Sequence, residues 1–127
     1  MSTPKHPLAD LGHAILSHVQ SGATNDRPLW EKHFHPNFVS IEGTGERYEG
    51  IDNVEKKCND WMNAHTMHSF TADGPYLGSD TIAIRFTLDL EPKDGSWPRM
   101  TMSEVAVYTV KDGKVAQEEF MYEPMPG

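Results

Sequence analysis

Hydrophobic positions change period along this chain, and the change divides it into a helical front half and a strand-rich back half. Leu8, Leu11, Ile15, Leu16 and Val19 recur at helical spacing, which predicts an amphipathic helix over 7–20, stopped by Ser21-Gly22. Thr24-Asn25-Asp26 offers caps for a second, short helix through Leu29, Trp30 and Phe34, with Pro28 in its first turn and His35-Pro36-Asn37 ending it. Residues 38–42 read as a strand, Gly43-Thr44-Gly45 as its turn and 46–49 as a short partner strand. Asp52 and Glu55 then form an Asp-x-x-Glu capping box for a third helix, with Val54, Cys58, Trp61 and Met62 on its apolar face.

From residue 66 the period is two. A strand over 66–76 ends at Gly78-Ser79-Asp80. In 81–90, Ile82, Ile84, Phe86, Leu88 and Leu90 point one way and Arg85, Thr87 and Asp89 the other. Residues 100–110 and 115–123 are strands joined by Lys111-Asp112-Gly113-Lys114, whose Asp-Gly pair tolerates the positive φ of a two-residue hairpin. Such a hairpin is not stable alone in water, so it belongs to a larger sheet with one face covered. The helices are the available cover, and a curved sheet roofed by helices encloses a pocket.

Composition narrows the partners. At 127 residues the chain has the length of one domain, taken as 1–127, with 37% hydrophobic and 24% charged residues. Its formal net charge of −8, with no Lys or Arg run, repels a phosphate backbone, so no nucleic acid is expected. No apolar run approaches the roughly 20 residues of a spanning helix, so no membrane partner is expected either. The polar start and the lone Cys58 read as cytoplasmic, with Cys58 a small buried hydrophobe.

Three helices, an early short hairpin and long antiparallel strands resemble the nuclear transport factor 2-like superfamily. Within it the chain most resembles the SnoaL-like polyketide cyclases and the ketosteroid isomerases. The resemblance rests on Tyr48-Glu49-Gly50-Ile51 before the third helix, Val110-Lys111-Asp112-Gly113-Lys114-Val115 at the closing hairpin, and Glu118-Glu119-Phe120-Met121-Tyr122 as an acidic-aromatic last strand. It implies an α+β fold: a cone-shaped, curved mixed sheet with three helices on its concave face. It also points to a homodimer. The superfamily holds isomerases, cyclases, dehydratases, epoxide hydrolases and non-catalytic binders, so function must be argued from the site.

Familiar chemical signatures do not occur: no Cys-x-x-Cys, no His-Glu-x-x-His, no phosphate-cradling glycine loop and no Gly-x-Ser-x-Gly. The pairs His33/His35 and His65/His68 have poor metal geometry and read as hydrogen-bonding groups, with His35 placed on a pocket wall. No metal and no cofactor are expected.

The carboxylates carry the candidate chemistry. Glu42 ends an apolar strand, and it matches the isomerases' general base in position though not in residue type. It is either that base or an exposed strand-end carboxylate. Glu104 shares a strand face with Met102, Ala106 and Tyr108, which suits a wall able to polarise or protonate an oxygen; a cross-strand pair with Arg85 is the alternative. The cyclases carry a catalytic acid late in the chain, and Glu118, Glu119 and Glu123 all compete for its place. The isomerases' oxyanion hole uses a Tyr on the first helix and a protonated Asp on a late strand; here that helix has no Tyr, and Met100 or Met102 falls near the Asp position.

Three functions follow as expectations. The first is a cofactor-free acid–base enzyme, isomerase or lyase in type, acting on a small hydrophobic carbonyl compound, with Glu42 as base and Glu104 or Tyr108 as acid or oxyanion donor. The second is a small-ligand-binding module whose pocket is lined by Trp30, Trp61, Met62, Phe86 and Tyr108, with His35 and Tyr122 also on the pocket wall. The third is a dimeric interaction domain with a filled interior.

Overall fold

Alternating burial along the strands fixes how the sheet is faced. A computed structural model describes residues 5–123. The elements run α1 (Ala9–Gln20), α2 (Arg27–His33), β1 (Phe34–Ile41), β2 (Arg47–Glu49), α3 (Ile51–Ala64), β3 (His65–Leu77), β4 (Thr81–Pro92), β5 (Met100–Lys111) and β6 (Lys114–Tyr122). The six strands form one curved, open sheet in the order β2-β1-β6-β5-β4-β3; the β1–β6 pair is parallel and the others are antiparallel. This is the expected α+β architecture.

Ile82, Ile84, Phe86, Leu88 and Leu90 are all buried, while Arg85 between them is exposed. A one-residue slip of β4 would reverse both sets, so the apolar row itself pins the register. The helices cover this row. Ile15 and Leu16 of α1, Leu29 and Trp30 of α2 and Val54 of α3 join it in the core. The β5–β6 turn is the expected one, with Asp112 at φ 52° and Gly113 at φ 80°.

Two local expectations differ. The second helix stops at His33, and Phe34 opens β1 as a buried strand residue. The third helix starts at Ile51 behind Gly50, and no side-chain cap bond forms there. Asp52 and Glu55 instead turn to Arg27 of α2: its guanidinium donates to Glu55 at 2.9 and 3.1 Å and to Asp52 at 2.6 Å. A guanidinium fork meets two carboxylates better than a backbone N–H does, so the capping box gives way to a bridge between α2 and α3. No helix of the described residues is long and apolar enough to cross a membrane.

Candidate active site

Residues opposite one another on paired strands share a face, so the strand register states which side chains meet inside the cone. Three rows cross the concave face. Ser40, Glu118, Tyr108 and Ile82 form the first; Phe120, Ala106 and Ile84 the second; Tyr122, Glu104 and Phe86 the third. Glu118, Tyr108, Phe120, Tyr122, Glu104 and Phe86 of these rows line a pocket of about 1010 Å³, which α2, α3 and the chain leading into α2 complete, while Ser40, Ile82, Ile84 and Ala106 are fully buried beneath it. Trp30, Phe34 and Phe38 close its base through tilted and edge-on contacts, and Phe34 meets Tyr108 edge-on at 6.1 Å. Around the mouth, Trp61 stacks on His65 at 4.6 Å, and Trp97 follows at 5.7 Å.

Lys57 organises the polar side of this pocket. It projects from α3 into the space over β1 and β6, where its ammonium donates to Glu42 Oε1 at 2.6 Å and Ser40 Oγ at 2.8 Å. It also lies 5.0 Å from the ring centre of Phe120 and 5.5 Å from that of Tyr48. Burial opposes its charge, but the hydrogen bond and charge of Glu42, aided by Glu118, more than offset this and hold its pKa above the ordinary lysine value. An ammonium has three N–H donors, and two are engaged.

Two carboxyl groups face the cavity in unusual states. Glu118 is 5% exposed, and burial pushes it up to about 7 against the pull of Lys57 and the Ser40 hydroxyl; Asp26 and Glu42 push the same way as burial. Glu104 is also raised to about 7, by burial first and then by the charge of Glu42, with Lys57 opposing. Among the described residues, the Glu104 carboxyl has no hydrogen-bond partner. Tyr108 is 4% exposed and likewise unpartnered there, and burial, then Glu118, keeps its phenol protonated well above the usual tyrosine range. Behind them, Asp26 lines the pocket and meets His18 Nε2 at 2.8 Å. Burial pushes the Cys58 thiol up to about 12, which makes it a poor nucleophile.

Most of the residues expected from sequence come together here. Glu42, Glu104, Tyr108, Trp30, Trp61, Met62, Phe86 and Tyr122 all line the pocket. His35 does not: because the strand begins at Phe34, alternation sends Phe34 inward and His35 outward, where Nε2 meets the carbonyl of Lys111 at 2.7 Å. Arg85 lies opposite Val105 on the outer face, so it is no partner for Glu104. Of the three late acids only Glu118 faces inward; Glu119 pairs with Val107 on the other face and Glu123 is exposed beyond the strand. Tyr122 is seated by Gly43, where a Cβ would fall 2.7 Å from its ring. Lys57, Ser40 and Asp26 were not anticipated. The signal for Lys57 was its place between Val54 and Trp61 on the apolar stripe of α3, where a cation needs a buried partner.

Residues 24–122 match the family model of the SnoaL-like domain. A Mesorhizobium loti protein provisionally named SnoaL-like polyketide cyclase superposes with a TM-score of 0.81 at 29% identity, over 92% of this chain and 100% of that one. A Bacillus subtilis protein provisionally named an isomerase gives 0.65 at 18% identity, over 88% and 83%. A Xanthomonas campestris protein of cystatin-like fold gives 0.72 at 14%, over 94% and 92%. The last two show likeness of fold alone. No curated protein matches the chain. The match over most of its length makes one conclusion plain: the chain belongs to the SnoaL-like domain family.

Proposed function

We propose that the protein is a general acid–base enzyme, cyclase- or isomerase-like, acting on a small hydrophobic carbonyl compound. One observation carries this reading: Glu104 and Glu118, both near a pKa of 7, face one largely apolar cavity. A carboxyl group in that range accepts and returns a proton at neutral pH without a cofactor. Glu118 is the proton-transfer group, flanked by Tyr108 across the β5–β6 ladder. The Tyr108 hydroxyl and the third N–H of Lys57 then stabilise the enolate oxygen as charge develops on it. Glu42 holds Lys57 in place through the 2.6 Å contact, so its contribution is to position that cation. The provisional name of the M. loti protein points the same way.

Deuterium exchange at the α-carbon of enolisable ketones and β-keto compounds tests this by NMR. Glu118→Gln is nearly isosteric, and the exchange rate should fall ~10²–10⁴-fold in it. Binding with no exchange in either protein would replace the enzyme by a ligand-binding module.

We infer further that two copies pair through the outer face of the sheet. Thr87, Thr101, Ser103 and Thr109 give that face an uncharged polar ground. Across it Val105 and Met121 are cross-strand partners, 36% and 47% exposed. Large apolar side chains side by side on a sheet face favour self-pairing.

A further inference from the structure

The pocket already shows how it accommodates an alkylammonium ion. The Lys57 ammonium is held by one carboxylate, Glu42, and by the faces of two rings, Phe120 and Tyr48. On the third row of the sheet the same kind of set recurs. Glu104 stands between its strand partners Phe86 and Tyr122, all three line the cavity, and its carboxyl group is unpartnered among the described residues. Phe86 is backed by Phe70, stacked on it at 5.3 Å, and Tyr122 is backed by Gly43, so both rings are fixed. The surroundings agree in sign. Of the described residues lining the pocket, seven are acidic and three basic, and two of the basic ones, Lys56 and Lys57, are paired with Asp60 and Glu42.

We propose that this pocket takes an organic ammonium ion, a ligand carrying a protonated amine beside an apolar body, with the amine held by Glu104 between Phe86 and Tyr122. The inference rests on the reading of the cavity as a ligand site and narrows its chemistry. Ring faces and a desolvated carboxylate together favour such a cation over a neutral isostere, and an acidic pocket disfavours a free carboxylate ligand. It also divides the labour of the two raised carboxyls: Glu104 anchors, and Glu118 at the other end of the cavity transfers the proton.

A proton count follows. An ammonium beside Glu104 favours its ionised form, so binding near neutral pH expels a proton, and affinity rises with pH. The groups facing Glu104 are Glu42 and Lys57 across the cavity, Tyr108 on its own strand, and Glu118 and Tyr122 on β6. Glu118 titrates in the same range at the other end of the cavity, so loss of the proton release in Glu104→Gln assigns the release to Glu104.

Calorimetry on the full chain with 4-phenylbutan-2-amine, its alcohol isostere 4-phenylbutan-2-ol and the ketone 4-phenylbutan-2-one tests the proposal. At pH 8 the amine should bind ~10-fold or more tightly than the alcohol. In Glu104→Gln that advantage should vanish while the alcohol still binds. In the unaltered protein at pH 7, titration in buffers of different ionisation enthalpy should register net proton release on amine binding. Alcohol and ketone binding with no preference for the amine would overturn the proposal and leave the reading of the cavity standing. Proton uptake, or an amine preference that survives Glu104→Gln, would also overturn it. Failure of all three compounds to bind would count against both.

Discussion

Glu104 and Tyr108 face the cavity from one strand, and Ala106, the residue between them on that face, offers only a methyl group. Four residues of extended chain separate the two Cα atoms by ~14 Å. Ala106 is fully buried between the two and packs beneath the cavity rather than lining it. Ala106→Leu should overpack that layer. The melting temperature should fall, by the equivalent of ~1–3 kcal/mol, and the displaced cavity wall should weaken binding of hydrophobic ketones by at least ~10-fold by calorimetry. Unchanged affinity would place the ligand elsewhere.

Both raised carboxyls make stability depend on pH in a predictable direction. Their folded pKa values of about 7 lie above the ordinary value of 4.5, so the folded chain keeps two protons that the unfolded chain releases. The stability they contribute is fully present below about pH 4.5 and is lost as pH rises to about 7. Thermal melts should therefore show a lower Tm at pH 8 than at pH 5. Glu118→Gln should recover stability on the order of 3 kcal/mol at pH 8 and flatten the slope between those values. A steeper slope in the variant would contradict this account.

Lys57 lowers the pKa of both Glu104 and Glu118. Replacing it removes the nearest positive charge, so Lys57→Met should move the limb of the rate–pH profile set by Glu118 upward by about one pH unit. The rate at the plateau should fall as well, because an oxyanion donor is lost. A profile unchanged in position would mean that Lys57 does not govern that carboxyl.

Pairing through the outer sheet face gives a particle of twice the 14.3 kDa chain mass by light scattering at micromolar concentration. Met121→Asp should return it to single chains, since a charge then faces its own copy across a two-fold interface. The side chain is exposed within one chain, so the variant should melt close to the parent. A single-chain mass for the parent protein would remove the dimer.

The sheet was legible because its signals are local and repeated. The Ile82–Leu90 alternation and the Asp112-Gly113 turn each allow one register, and the Met102, Glu104, Ala106, Tyr108 face follows once β5 is a strand. Single-residue boundaries were less legible. Whether Phe34 closes a helix or opens a strand is settled by its packing against Tyr108 of β5, a contact between elements, and on that one residue turned the placement of His35. The polar half of the site was hidden for a related reason. Asp52 and Glu55 satisfy a local capping pattern, yet Arg27 lies 25 residues before the first of them. Lys57 is 15 residues from Glu42 in sequence, and a lysine among apolar neighbours reads as a long stem reaching for water until a carboxylate is found above it.

The central position of β6 has a consequence for how the molecule is made. Made after every other strand described here, β6 inserts between β1 and β5 rather than adding to an edge. Until it does, the sheet is two unjoined pieces, β1 with β2 and β3 with β4 and β5, each exposing an unpaired edge. Ser40 has no Glu118 beside it in that state, and Tyr108 has no neighbour on one side. Joining the two pieces therefore needs the long-range β1–β6 pairing, the kind of contact that slows folding. The strand that completes the sheet is also the one that carries Glu118 to the cavity.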